Sequence, residues 1–227
     1  MKKRTAIMGQ QTIYAIIFLS LFLLLVAIAH LLYRIFRVSP EVSRKFLHVT
    51  GGILALCSPL FFRSHWWILL LCSLAFLLLL FTYIKRLLPS IHQTKRKSIG
   101  SVVYPIPIYF CFLVASDKSN DLLFYLPVSL LTISDTMAEL GGKTWGMRSR
   151  KLMYSQKSIV GSISFAISAL LMCVVWGVVF NLPLQEMIVL SIATTLMATI
   201  TEVISTRGLD NITVPLVALV SLLFLLH

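Results

Sequence analysis

Charged residues are scarce in this chain, and their scarcity excludes an ordinary soluble domain. Only 12% of the 227 residues are Asp, Glu, Lys or Arg, whereas 58% are hydrophobic. In soluble domains, charged residues usually make up about a quarter of the sequence. Apolar runs of roughly 17 to 25 residues recur, which is the length an α-helix needs to cross a bilayer. The composition therefore predicts an integral membrane protein.

Paired cysteines, a leader cleavage site and long linkers are missing as well. The four cysteines each lie alone in an apolar run, which argues against a zinc site or a disulfide framework: Cys57, Cys72, Cys111 and Cys173. The first apolar run, from Ile13 to Tyr33, is too long for a signal peptide and lacks a small-residue cleavage site. We interpret residues 1–40 as an N-terminal transmembrane helix with a basic loop, and residues 41–227 as a single transmembrane domain.

The apolar runs predict an all-α transmembrane bundle of about seven or eight spans. The candidate spans are residues 12–33, 46–62, 66–84, 101–115, 121–140, 158–180, 185–205 and 212–226. Most Lys and Arg residues lie in loops on one predicted side; the exceptions are Lys2, Lys3, Arg4, Arg63 and Lys118. The positive-inside rule assigns the richer side to the cytoplasm. Topology and lipid headgroups thus explain the net charge of +12, and we expect no nucleic-acid partner.

The stretch TISDTMAELGGKTWGMRSRKLMYSQKSIVGS, residues 132–162, gathers charges and glycines between two spans. Asp135 and Glu139 are four residues apart, so a helix points both carboxylates the same way. The glycines that follow favour a tight turn whose backbone N–H groups suit phosphate oxygens: Gly141, Gly142 and Gly146. Cations come next, at Arg148, Arg150, Lys151 and Lys157, before Ser158 and Gly161 begin a helix whose N-terminus favours anions. The alternative is a plain cytoplasmic loop, and the residues alone favour neither.

Two further stretches place polar groups at the same membrane face. In EVSRKFLHVTGG, residues 41–52, Arg44 and His48 share one helical face, suited to holding phosphate and moving a proton. The alternative is that Arg44 and Lys45 anchor the helix at lipid headgroups. In residues 194–215, Glu202 lies near the end of a span, where a carboxylate is costly unless it faces a cavity or a partner. Asp210 is equally compatible with a simple helix cap.

Together these stretches resemble the dolichol kinase and phytol kinase family of membrane lipid-alcohol kinases, which are similar to cytidylyltransferase-like proteins. The matching residues run in the family's order: Glu41, Arg44, Lys45, His48, Gly51 or Gly52, Arg96, Gly100, Tyr104, Asp135, Ala138, Gly142, Gly146, Lys157, Ser158, Gly161, Ser162, Glu202, Gly208, Asp210, Asn211 and Pro215.

The resemblance implies transfer of a γ-phosphoryl group from a nucleoside triphosphate, CTP by preference, to the hydroxyl of a long-chain alcohol. Our hypothesis for the catalytic residues His48, Asp135 and Glu202 is that Asp135, with Glu139 or Asp210, holds Mg²⁺, and that either His48 or Glu202 orients or deprotonates the alcohol. The implied phosphate-binding residues are Arg44, Lys45, Arg96, Gly142, Gly146, Lys151, Lys157, Ser158 and Gly161, with Asn211 beside them.

Location and substrates follow from the same resemblance. We expect an integral protein of the bacterial inner membrane or its equivalent, with the active site facing the cytoplasm, from which the charged nucleotide arrives. The acceptor is a polyprenol, a phytol-like alcohol or diacylglycerol. The alternatives are a phosphatidate cytidylyltransferase that makes a CDP-lipid from CTP, a small membrane transporter, and a structural membrane subunit. The sequence leaves the oligomeric state open.

Overall fold

The computed structural model describes residues 2–93, 98–145 and 157–226, with side chains from Met8 onward. These residues form helices joined by short turns. The helices are α1 (Lys2–Ile35), α2 (Pro40–Leu56), α3 (Ser58–Phe61), α4 (His65–Ile84), α5 (Pro89–His92), α6 (Gly100–Val103), α7 (Pro105–Lys118), α8 (Leu122–Ser129), α9 (Asp135–Thr144), α10 (Ile159–Val179), α11 (Leu184–Ile204) and α12 (Asp210–Leu225). A π-helical segment, Leu130–Ser134, joins α8 to α9.

Every predicted span coincides with one helix or with consecutive helices, so the expectation of an all-α bundle is confirmed. Among the described residues, five helical stretches are long and apolar enough to cross a membrane: Met8–Ile35, His65–Ile84, Gly100–Lys118, Ile159–Val179 and Leu184–Ile204. The remaining predicted spans are shorter or interrupted helices, such as α2 and α12. The total of seven or eight spans stays a prediction.

Helix α8 lies at the centre of the bundle. All but one of its residues are buried, including Phe124, Leu126 and Pro127. Proline inside a helix removes a backbone hydrogen bond and clashes with a carbonyl one turn earlier. The π-helical segment begins three residues after Pro127 and leads directly into Asp135. The backbone is therefore irregular directly before Asp135, and π-helical turns are frequent at functional sites.

The outer helices bury small residues and expose large apolar ones. On α10, Gly161, Ala169 and Gly177 face the bundle, whereas Ile167 and Val178 are exposed. Small residues let membrane helices approach closely, and large apolar side chains suit contact with lipid. This distribution agrees with a bundle surrounded by membrane.

The predicted tight turn at Gly141 and Gly142 is wrong, because both glycines lie inside α9. They serve helix packing instead. A Cβ on Gly141 would collide with the side chain of Ser164, and one on Gly161 would come within 2.9 Å of the Ala138 carbonyl oxygen. The glycines of α9 and α10 therefore allow these two helices to pack backbone against backbone.

Candidate functional site

The first polar cluster joins the start of α2 to α9. Lys45 Nζ lies 2.8 Å from Asp135 Oδ2 and 3.0 Å from Glu139 Oε2. The predicted convergence of the two carboxylates is thus confirmed, and it occurs on a lysine ninety residues earlier in the chain. Asp135 keeps 23% of its side chain exposed and Lys45 keeps 15%, so the cluster is accessible from one side.

The outer edge of this first cluster is held by two more cations. Arg44 Nη2 lies 3.6 Å from Glu139 Oε2. Lys143 Nζ lies 2.6 Å from Glu139 Oε1 and 3.0 Å from Glu41 Oε2, which ties the end of α9 to the start of α2. Partial burial lowers the pKa of Lys143, but Glu139 and Glu41 outweigh that effect and hold the pKa above its ordinary value. Lys143 thus stays charged and keeps Glu139 in place.

His48 is fixed between the π-helical segment and Tyr104. Its Nε2 lies 2.8 Å from the Leu131 carbonyl oxygen and 3.5 Å from Asp135 Oδ2. Because a carbonyl oxygen only accepts, this contact places a proton on Nε2 and leaves Nδ1 as the ring nitrogen with a lone pair. The Tyr104 ring packs 4.5 Å from the imidazole, and its hydroxyl donates to the His48 carbonyl oxygen over 3.0 Å.

The second polar cluster joins the start of α10 to α11 and α12. Lys157 Nζ lies 2.7 Å from Glu202 Oε1 and 2.8 Å from Asp210 Oδ2. Ser162 Oγ donates to the other oxygen of Glu202 over 3.1 Å. Burial lowers the pKa of Lys157, yet Asp210 and Glu202 outweigh burial and raise the pKa above its ordinary value. The ion pair with the lysine and the hydrogen bond from the serine thus offset the free energy that burial of the Glu202 carboxylate costs in a membrane span.

The two clusters are neighbours at one end of the bundle. The Lys157 ammonium interacts electrostatically with Asp135 of the first cluster. Between them Ser158 caps α10 and accepts from the Gly161 backbone nitrogen over 3.1 Å, as the sequence predicts. The close contact of Gly142 with Gly161 brings the start of α10 against α9. A helix N-terminus, four cations and five carboxylates therefore meet in one region, an arrangement suited to a polyanion with a cation.

Some predicted site residues lie elsewhere. Arg96, Gly146 and Lys151 fall outside the described residues. Asn211 is buried against α6, where a Cβ on Gly100 would come within 2.7 Å of its Nδ2, so it braces two helices beside the site. Asp210 is not the predicted helix cap, because Leu209 holds the cap position of α12 and Asp210 is the first residue of its first turn. Its Oδ1 accepts from the Asn211 backbone nitrogen over 3.1 Å, and its Oδ2 is a partner of Lys157.

Lys143 and Ser162 are site residues to which the sequence analysis assigns no role. Lys143 follows Glu139 by four residues, the spacing of a helical ion pair, and this signal was available in the sequence. Ser162 follows the cap residue Ser158 by four residues, but its partner Glu202 is forty residues away. No local pattern predicts that contact.

The predicted metal ligands are divided between the clusters. Asp135 and Glu139 converge on one point, whereas Asp210 belongs to the second cluster. Within the described ranges, no three His, Cys, Asp or Glu side chains are placed to hold a metal ion together. One or two carboxylates completed by phosphate oxygens and water are, however, the usual protein ligands of Mg²⁺ in nucleotide sites. Asp135 and Glu139 fit that role.

Comparison with known proteins gives two similarities. The chain is 27% identical to a phytol kinase from Synechocystis sp. over 191 residues, which cover 83% of this chain and 81% of the relative. It is 30% identical to a phosphatidate cytidylyltransferase from Rickettsia prowazekii over 89 residues, 39% of either chain. No protein-family model matches the chain, and no solved structure matches it. The chain is thus distantly similar to a kinase over most of its length and to a cytidylyltransferase over a shorter part.

Proposed function

We propose that this protein is a membrane lipid-alcohol kinase that transfers the γ-phosphoryl group of a nucleoside triphosphate, with CTP favoured, to the hydroxyl of a polyprenol, a phytol-like alcohol or diacylglycerol. The observation that carries the proposal is the pair of lysine–dicarboxylate clusters at one end of an apolar helical bundle. The similarity to a phytol kinase over most of both chains supports the same activity. We place this end of the bundle at the cytoplasmic face, because the nucleotide is there and the sequence predicts most of the basic residues on that side.

The cations of the site would each neutralise part of the negative charge on the donor's phosphates. Arg44, Lys45 and Lys157 neutralise triphosphate oxygens, and the N-terminus of α10 behind Ser158 adds backbone N–H donors. Asp135 and Glu139, with Asp210 nearby, would hold Mg²⁺, which when bound neutralises charge on the phosphates. Lys45 and Lys157 exchange carboxylates for phosphate oxygens when the donor binds.

His48 is the better candidate to accept the proton of the alcohol. The alcohol oxygen forms a bond to the γ-phosphorus, the bond to the bridging oxygen breaks, and the nucleoside diphosphate leaves. Both carboxylate oxygens of Glu202 already have partners, Lys157 and Ser162. His48 is held through Nε2, so its Nδ1 is available to take the proton. Glu202 then positions Lys157.

The second candidate function is CDP-lipid synthesis, favoured by the similarity to a phosphatidate cytidylyltransferase. It uses the same donor but attacks the α-phosphorus and releases pyrophosphate. The transporter alternative is weaker, because the ion pairs among the described residues gather at one end of the bundle, whereas a transport pathway needs polar groups through its depth.

Positionally labelled CTP separates the two enzyme activities. Purified protein in detergent with Mg²⁺ is offered phytol, farnesol, undecaprenol, dolichol, diacylglycerol or phosphatidic acid. The CTP is labelled at either its γ- or its α-phosphate, with ATP as a parallel donor. The proposal predicts γ-label in an alcohol and none in phosphatidic acid. α-Label in lipid with release of pyrophosphate would establish the cytidylyltransferase instead.

A further inference from the structure

An apolar groove lies between α4 and α7, apart from both ion clusters. It has a volume of about 390 Å³ and its lining includes Cys72, Ser73 and Phe76 of α4 with Pro105, Ile106 and Tyr109 of α7. That volume falls within the range of small-molecule sites in proteins. Two further lining residues, Leu77 and Phe110, are about half exposed, so the groove opens on the outer surface of the bundle.

Three polar side chains lie beyond one end of the groove, outside its lining. Tyr83 lies two helical turns beyond Phe76 on the same face of α4, and Ser101 lies one turn before Pro105. His92 of α5 stands between them: its ring packs edge-on against Tyr83 at 5.5 Å, and its Nδ1 lies 3.5 Å from Ser101 Oγ. The apolar walls of the groove therefore lead towards a histidine, a tyrosine and a serine, an order of groups that fits an amphiphile with one polar head.

The polar side chains beyond the groove lead to the candidate active site. Tyr104 lies one turn after Ser101 and directly before Pro105, and its ring contacts His48. The same residue therefore separates the groove from the proposed proton acceptor. The opposite end of the groove, at Tyr109, lies further along α7 towards the other end of the bundle.

We propose that the groove between α4 and α7 holds the first part of the acceptor lipid's hydrocarbon chain and directs its hydroxyl past Ser101 and Tyr104 to His48. This inference rests on the proposed function, whose acceptor has one hydroxyl on a long apolar chain. Because the groove opens outward, the remainder of a long chain extends into the bilayer. The site should therefore select for the chain near the hydroxyl and tolerate extra length beyond it.

Filling the groove tests the proposal by kinetics. Ser73→Phe places a ring in the groove. The matched control is Leu74→Phe, which places the same ring at the neighbouring exposed position outside the groove. We expect Ser73→Phe to raise the KM for phytol about tenfold, to raise the KM for the shorter geraniol less, and to leave the KM for CTP unchanged. Leu74→Phe should behave as wild type. Equal KM values for phytol in the two variants, with an active wild type, would show that bulk lipid alone fills the groove and would overturn the inference.

Photolabelling tests the groove independently of turnover. The wild-type protein is irradiated with a farnesol analogue that carries a diazirine at the end of its chain, and labelled peptides are mapped. We expect labelling of residues 69–77 and 105–110 that excess phytol suppresses, and unsuppressed background on exposed α10 residues such as Ile163 and Ile167. Suppressible labelling in a protein that phosphorylates no alcohol would uphold the groove and overturn the kinase. Uniform labelling that phytol does not suppress would overturn the groove.

Discussion

Lys45 and Lys157 are each placed between two carboxylates, and this repeated arrangement defines the site at the scale of single residues. Glu202 is the most deeply buried of the four acids, with 5% of its side chain exposed, against 18% for Lys157. A buried carboxylate is tolerated only when a cation and hydrogen bonds replace water around it. The lysines therefore stabilise the fold, and under the proposed function they also supply the charge that a triphosphate needs.

Removal of the Lys157 charge should destabilise the protein, because Glu202 stays buried without its cation. We expect Lys157→Met to lower the free energy of unfolding by about 3 kcal/mol, because it leaves a buried carboxylate without its cation. The double variant Lys157→Met/Glu202→Gln should recover most of that loss while remaining inactive. Thermal unfolding of the purified variants in detergent measures both. Equal destabilisation in the single and double variants would contradict the assigned pairing.

At the scale of elements, the site depends on how closely α9 packs against α10. Gly161 contacts the backbone of α9 at Ala138 and Gly142, and backbone atoms cannot move aside as a flexible side chain can. This contact fixes the distance between the Asp135 cluster on α9 and the Lys157 cluster at the start of α10. Small residues at this interface are thus a requirement of the site as well as of packing.

One methyl group added at the interface of α9 and α10 should increase the distance between the Asp135 cluster and the Lys157 cluster. We expect Gly161→Ala to destabilise the protein by about 1–3 kcal/mol and to lower phosphoryl transfer by more than about tenfold. Gly51→Ala is the matched control, since nothing lies within 4 Å of a Cβ there. It should be neutral or stabilising by up to about 1 kcal/mol. Thermal unfolding and turnover are measured for both variants. Equal effects of the two substitutions would contradict the prediction.

The sequence predicted those parts of the site that depend on local spacing. Asp135 and Glu139 point together because they are four residues apart on a helix, and Ser158 caps α10 because a serine there can accept from Gly161. The pairing of Lys45 with Asp135 joins residues ninety apart, and periodicity carries no information about such a contact. Gly142 was misassigned to a turn, because glycine favours both turns and close helix contacts and the local sequence does not separate them.

At the scale of the whole molecule, charge is distributed unevenly along the bundle axis. The ion clusters lie where α10 begins, α11 ends and α12 begins, whereas Asp117 and Lys118 lie where α7 ends, at the opposite end. If the bundle crosses the membrane, these two ends face different compartments. On the basis of the positive-inside rule, we propose that the clusters face the cytoplasm.

Cysteine labelling in intact cells tests this orientation. With the native cysteines replaced, we expect Lys118→Cys to react with a membrane-impermeant maleimide in intact cells. We expect Arg207→Cys to react only after lysis. Both positions are exposed in the fold, so access depends on the compartment. The reverse pattern would place the candidate site outside the cytoplasm, where nucleoside triphosphates are not supplied, and would contradict the proposed function.

The central claim is that the Asp135 cluster performs phosphoryl transfer. It is tested most directly by replacing one aspartate with uncharged asparagine at each end of the bundle. The measurement is the rate of γ-phosphate transfer from labelled CTP to the responding alcohol, with Asp117→Asn as the matched control for Asp135→Asn. We predict that Asp135→Asn lowers the rate at least about a hundredfold while the protein still inserts and purifies normally, and that Asp117→Asn keeps wild-type activity. Near-wild-type transfer by Asp135→Asn would contradict the account.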